Sequence, residues 1–479
     1  MSVLDTKVLV NYYFEAISEI PRGSYNEKGI ADYVENFAQE KKLRYVRDKL
    51  NNIIIYKDGT AGLENHEPVM LQAHMDMVNE KNKDSDHDFD HDPLQLYVED
   101  GYVSAKGTTL GADDGYGVCY MLAILADEEA KHPPLECVFT VAEEVGLDGA
   151  IGFDESLINA KRMIGLDSET EGETCTTSSG GLDVLVYKDL HFTKSNEPGY
   201  QIMVKGLIGG HSGGEIHQGR GNANKLATRV MYGLIKEKID FKLVSIEGGL
   251  KNNAICRECT IIFTTTADSS KLEKIVSKYQ EYFKEELEFS DPGVKVEFKA
   301  LDLNSVDVID FKESAEIIEM MMVLKNGFVE RSQAIKDLTT ISLNMGVVYF
   351  EDNQLKISYL LRSPMKCAVE NMCDELEITA KTFGGAIKAA NYYPGWNYDP
   401  DSKLREQFKE FYFSRTGNKL KETASHGGLE TGIFKGKIPD LDIITMGPDM
   451  NDIHTPDERM SIASFENSYY LLRDFIATL

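Results

Sequence analysis

Positive charge is scarce in this chain: 51 Lys and Arg stand against 79 Asp and Glu over 479 residues, a formal balance of −28. That excludes the basic surface that phosphate backbones and anionic lipid headgroups require, so neither nucleic acid nor a membrane is an expected partner. Long apolar runs are also lacking. The longest, Gly117 to Ala126, is about half of what crosses a bilayer, and the start MSVLDTKVLV has no basic stretch followed by an apolar core. Cysteines are few, odd in number and scattered, seven in all from Cys119 to Cys373. The CxxC of Cys256 and Cys259 has no second pair to complete a zinc site. Reduced thiols, no export signal and a cytoplasmic location are therefore expected.

The apolar content, by contrast, is ample: 42% hydrophobic and 9% aromatic residues provide for a large packed core and exclude a disordered acidic chain. Four short apolar runs, 69–76, 135–144, 162–169 and 441–447, are each followed by polar or glycine-rich residues, as buried parallel strands are. Asp113 and Asp114 open an apolar helix reaching about Asp127. From about Gly181 the texture changes. Strand-like 202–207 leads to a helix starting near Asn222, and 260–266 leads to a helix with Leu272, Ile275, Val276, Tyr279 and Phe283 at helical spacing. A strand follows at 294–301. ISLNMGVVYF and QLKISYLLR flank EDN as a hairpin, and YPGW at 393–396 reads as the return linker. The expected architecture is α/β, with a mostly parallel sheet built from residues 1–180 plus 389–479 and an α+β domain inserted at 181–388.

Polar residues gather where the parallel strands end, which is where open α/β sheets bind ligands. His74 and Asp76 at i and i+2 read as a metal ligand and the carboxylate that orients it, although an HxD is also commonplace. Asp113 and Asp114 read as an ordinary N-cap, or as a cap at Asp114 beside a carboxylate at Asp113 that bridges two ions. Glu143 and Glu144 would repel unless one binds a cation. Glu144 on a metal beside Glu143 as general base resolves that conflict, and a solvated loop pair is the plainer reading. Asp167 lies at another strand end and His454 in a loop beyond the last strand, whereas His66, His132 and His191 read as unremarkable. Two imidazoles and three carboxylates (His74, Asp113, Glu144, Asp167, His454) suit two zinc or manganese ions. DSDHDFDHD at 84–92 imitates a calcium loop but has Phe89 where glycine is required and Gln95 where glutamate is required, so it reads as an acidic surface loop.

With these residues in place, the sequence resembles the co-catalytic zinc metallopeptidases of the aminoacylase and carnosinase family nearly end to end. The motifs are AHMDMV, KGTTLGADDGYG, AEEVGLDGA, GLDSE, GGHSGGEIHQGRGNANK, GGLKNNAI, YPGW, SHGGLETG and HTPDE. The resemblance implies a phosphorylase/hydrolase-like catalytic domain whose insertion is a lid that mediates a homodimer. It implies two divalent ions per subunit, zinc with manganese or cobalt as alternatives. Asp113 would bridge them, with His74 and Asp167 on one and Glu144 and His454 on the other. Asp76 would orient His74, and Glu143 would be the base. His211 would stabilise the oxyanion in a neighbouring subunit's site. Asn253 and Arg362 would hold the substrate carboxylate, and the backbone at Gly428, with His426 beside it, would lie against the substrate. An ordinary turn histidine and a solvated strand-end arginine are the plainer readings of His211 and Arg362.

The implied activity is metal-dependent hydrolysis of small peptides, namely dipeptides with a free amino terminus, Xaa-His included, by water ionised at the metals. The alternatives are an N-acyl amino acid deacylase on the same scaffold and a non-catalytic acidic binding protein.

Overall fold

The protein is described here by a computed structural model covering residues 2–336 and 338–479. The chain divides into two compact units. The first comprises the chain up to Thr177 with Trp396–Ala424 and Leu429–Leu479, and the second comprises Ser178–Gly395 with Ser425–Gly428. Where the sequence reading ends the insertion at 388, the second unit continues to Gly395. The reason is that Ala386–Tyr393 is a strand that pairs along Gly180–Asp189, so its backbone hydrogen bonds lie with the second sheet.

The first unit is organised on a six-stranded sheet in the order Arg44–Arg47, Ile53–Lys57, Leu135–Thr140, Val69–His74, Arg162–Gly165, Asp442–Thr445. The last four strands pair in parallel, and the first two join antiparallel at one edge. Val69–His74 and Leu135–Thr140 are buried along their whole length, which is why their sequences are continuous apolar runs rather than alternating ones. The chain places Leu135–Thr140 on one side of Val69–His74 and Arg162–Gly165 on the other, so the winding reverses at the strand that ends in His74. Such a reversal opens a crevice beyond the carboxyl ends of the strands.

The helix Ala112–Ala126 is buried almost all round, and its Tyr120 ring stacks on Phe465 with centroids 5.3 Å apart. Phe14 meets Phe465 edge-on. Buried side chains of this size contribute about 1.5–3 kcal/mol each through lost apolar exposure, which makes this helix a rigid base for the loop at its start.

The second unit is an antiparallel sheet with helices Ala223–Lys236, Ser269–Glu286, Phe311–Val323 and Lys366–Thr382. Asn222 caps the first of these by accepting hydrogen bonds from the Asn224 and Lys225 amides, the preferred use of asparagine at that position. Thr339–Glu351 and Gln354–Ser363 form the hairpin, closed by Asp352 and Asn353 with φ of 53° and 56°. Asp and Asn tolerate the left-handed conformation that a two-residue turn demands. Among the described residues no helix is long and apolar enough to cross a membrane, and the seven cysteines are free thiols.

Candidate functional site

The end of the central strand sets the first side chain. His74 is buried, its Nδ1 lies 3.2 Å from the Asp76 carbonyl oxygen and 3.3 Å from Asp76 Oδ1, and its Nε2 faces Asp113 Oδ1 at 3.1 Å. The other oxygen of Asp113 lies 3.1 Å from His454 Nε2. Asp113 thus holds one imidazole on each carboxylate oxygen. His454 Nε2 also lies 3.0 Å from Glu144 Oε1. Potential ligand atoms gather in three groups within 4.8 Å: His74, Asp113 and Asp167; Asp113, Glu144 and His454; and His74, Glu143 and Glu144. Among the described residues these are the groups of this kind, and the acidic stretch 84–92 contributes to none.

Local backbone explains the convergence. Asp113 and Asp114 are non-helical within the first turn of Ala112–Ala126 and are joined by a cis peptide bond. Asp114 is buried and turned inward. Its carboxylate accepts the Gly117 amide three residues on, as a cap does, and also the His74 amide. Ala142, just before the glutamate pair, and His454 both have positive φ, 52° and 61°. Strain of this kind in residues other than glycine persists where surrounding contacts fix a side chain's direction.

The carboxylates crowd one another. Burial, together with the charges of Asp113 and Glu144, pushes Asp167 up to about 7. Burial likewise lifts Glu143 well above the usual carboxylate range, with Asp167 and Glu144 adding to the effect. The imidazoles respond in the opposite sense. Burial works against a charge on His74, yet Asp113 and Asp76 hold its pKa well above the ordinary value. Hydrogen bonds to Asp113 and Glu144 raise His454 to about 11. Such a set fits two divalent cations, which neutralise clustered carboxylates and accept imidazole lone pairs.

Further side chains hold these groups in place, and of them Glu458, Arg22 and Glu430 do not stand out in the sequence. Asp76 accepts the Glu143 and Glu144 amides and the Ser24 hydroxyl, so one carboxylate ties the glutamate turn to the His74 strand. Glu458 accepts four successive amides, Leu110 to Asp113, and fixes the loop that carries the shared carboxylate. Arg22 is buried and donates to the carbonyls of Met75, Asp76 and Gly111. Glu430, pushed up to about 8 chiefly by burial, accepts from Gln72 and Thr140, which lie on the strands ending at His74 and leading to Glu143. Glu458 stands inside the HTPDE motif, which could have exposed it. Arg22 binds only backbone oxygens, and its position follows no pattern. His66, His132 and His191 bind neighbouring backbone or, for His191, Glu313, away from these groups.

The remaining candidates all lie in the second unit and are brought together there. Arg362 is only 4% exposed, not the solvated strand end of the plainer reading. Its Nε donates to Ser212 Oγ, one terminal nitrogen donates to the Tyr393 hydroxyl at 3.0 Å, and the other lies 3.5 Å from His211 Nε2. The Asn253 carbonyl accepts the Ser212 amide. His426 is buried, with Nδ1 2.7 Å from Ser179 Oγ and Nε2 2.7 Å from Ser342 Oγ, so both ring nitrogens are already engaged. Burial, with the charge of Arg362 adding to it, lowers its pKa to about 3 and keeps it neutral. At Gly428, a Cβ would lie 2.8 Å from the Tyr393 ring.

Comparison with known proteins agrees with this chemistry. Residues 70–478 match the model of peptidase family M20/M25/M40. The chain is 38% identical over 471 residues to the cytosol non-specific dipeptidase of Escherichia coli K12, covering 97% of this chain and 96% of that protein. It is similar to the crystal structure of aminoacylhistidine dipeptidase from Vibrio alginolyticus, with a TM-score of 0.89 and 34% identity over 98% of this chain and 96% of that one. It shares its fold with the aminopeptidase PepT of Bacillus cereus, at a TM-score of 0.56, 18% identity and 99% coverage of both chains.

Proposed function

The chain belongs to peptidase family M20/M25/M40, and from that membership we propose that it is a metal-dependent dipeptidase acting on dipeptides with a free amino terminus, Xaa-His among them. The observation that carries this reading is the Asp113 carboxylate with an imidazole 3.1 Å from each of its oxygens. His74 and Asp167 would hold one ion, Glu144 and His454 the other, and Asp113 both. Two divalent ions, zinc with manganese or cobalt as alternatives, supply Lewis-acid polarisation of the peptide carbonyl and acidify water when bound.

The protein's own groups do the rest. Glu143 takes a proton from the attacking water and returns it to the leaving amine. Asp76 fixes the tautomer and orientation of His74. His211 donates to the developing oxyanion, while Asn253 and Arg362 hold the substrate carboxylate, with the Gly428 backbone and His426 bordering the substrate. Arg362 supports this role because it is buried without an acidic partner among the described residues, and guanidinium geometry matches a carboxylate. The inserted unit is proposed as a lid that pairs two subunits, in the cytoplasm, as the name of the Escherichia coli relative suggests for that protein.

The test is a hydrolysis panel of free and N-acetylated dipeptides, run on chelated protein with zinc, manganese or cobalt restored. Cleavage of the free dipeptides that is lost on chelation and regained with metal is expected. Preference for the N-acetylated series would replace this reading with deacylation. Mixing His211→Ala with Glu143→Ala subunits tests the shared site, since recovered activity requires each chain to supply what the other lacks.

A further inference from the structure

The Arg362 cluster holds more hydrogen-bond donors than the chain itself uses. Arginine has five N–H donors, and the contacts of Arg362 are Ser212, Tyr393 and, at 3.5 Å, His211. No acidic side chain pairs with it among the described residues. The Tyr393 hydroxyl accepts from Arg362, and its own proton meets no acceptor among them. The Ser212 hydroxyl, fully buried, is in the same state. A buried cation, a buried hydroxyl and the half-buried Tyr393 hydroxyl, neither hydroxyl with an acceptor, together define a place for an anion, because leaving the buried cation and the Ser212 hydroxyl unsatisfied costs free energy in the protein alone.

The sheet builds this place deliberately. Ser342, Arg362, Gly181 and Tyr393 are register partners across four neighbouring strands. Arg362 and Tyr393 are therefore two strands apart, on the order of 10 Å between backbones, with Gly181 between them. A Cβ at Gly181 would lie 2.5 Å from the Tyr393 ring and hydroxyl, and one at Gly428 would lie 2.8 Å from the same ring. Two glycines clear the path along which the tyrosine hydroxyl reaches the guanidinium.

We propose that Tyr393 and Ser212 join Arg362 in holding the α-carboxylate at the substrate's carboxyl end, making Tyr393 a further substrate-binding residue that selects free-acid substrates. The proposal rests on the dipeptidase reading. It also recasts Gly428: the absent side chain there makes room for Tyr393.

The experiment compares wild type and Tyr393→Phe on a dipeptide and on the same dipeptide with its carboxyl end amidated. Losing a hydrogen bond to a charged group predicts a KM about 10-fold higher on the free acid, with kcat within about twofold. The amide should show no change in KM between the two proteins. A purely structural tyrosine would move both substrates equally, and that result overturns the proposal, as does an unchanged KM on the free acid or a wild type that treats acid and amide alike. Gly181→Ala, which displaces the ring while leaving the hydroxyl, should reproduce the acid-selective rise. If the protein cleaves N-acetyl amino acids and not dipeptides, the dipeptidase reading falls. The same acid and amide pair in that substrate series still decides whether Tyr393 holds the carboxylate.

Discussion

The two units each contain a cluster whose charges the protein does not balance, and the imbalances have opposite signs. In the first unit Asp76, Asp113, Glu143, Glu144 and Asp167 surround two imidazoles, and burial and mutual repulsion lift Asp167 and Glu143. In the second, Arg362 is buried among hydroxyls and neutral imidazoles. An uncompensated buried charge costs free energy in the isolated fold, so each cluster is incomplete until a ligand of the opposite sign arrives. Cations are expected in one place and a carboxylate in the other.

The largest effect is expected in the first unit. Glu143→Gln keeps the shape and removes the base, so kcat should fall about 10²- to 10⁴-fold, while metal content measured by elemental analysis stays at the wild-type value. Near-full turnover would show that Glu143 balances charge and carries no proton. Asp76→Asn attacks the same cluster from behind. It weakens the hold on His74 and on the Glu143 and Glu144 amides, and metal affinity in a chelator titration should drop about 10- to 100-fold. Unchanged affinity would mean the strand end is rigid without it.

In the second unit Arg362→Met should act in two directions. KM for a free-acid dipeptide should rise about 10- to 100-fold, whereas the thermal midpoint should hold or rise, because an apolar side chain replaces a buried cation that lacks an acid. A clear fall in the midpoint would break the comparison, since it would mean that the charge is compensated within the fold.

Much of the first cluster was legible because its residues sit at fixed offsets from apolar runs. His74 ends one strand, and Glu143, Glu144 and Asp167 follow two others within a few residues, so periodicity located them. His454 lies nine residues beyond Thr445 and gained meaning only through its motif. Arg22 was not legible because it binds backbone groups, which every sequence has, and Glu458, which also binds backbone, could be found only through the HTPDE motif. Tyr393 was hidden for another reason. YPGW reads as punctuation, yet its tyrosine is the last residue of a strand, and only the sheet register shows that Gly181 lies between it and Arg362. The insertion's end at 388 stops short of that punctuation because the strand Ala386–Tyr393, exposed along most of its length, carries no buried-strand pattern although it pairs in the second sheet.

The smallest expected effect concerns His426, which decides whether Arg362 is the cation of its cluster or shares that role. Burial and the nearby guanidinium lower the folded-state pKa of His426 to about 3, against about 6.5 in the unfolded chain. At a pH above the unfolded value both states are neutral and the contribution to stability is complete. As pH falls from about 6.5 toward 3, the unfolded chain binds a proton that the folded chain refuses, and stability is lost over that window. His426→Asn removes this titration. The gap in unfolding free energy between wild type and variant should therefore shrink by about 1.4 kcal/mol between pH 7.5 and 5.5, read from denaturant midpoints. A gap that stays constant would mean that His426 accepts a proton in the folded state. The cluster would then tolerate a second positive charge beside Arg362 and would need a stronger anion than one carboxylate to balance it.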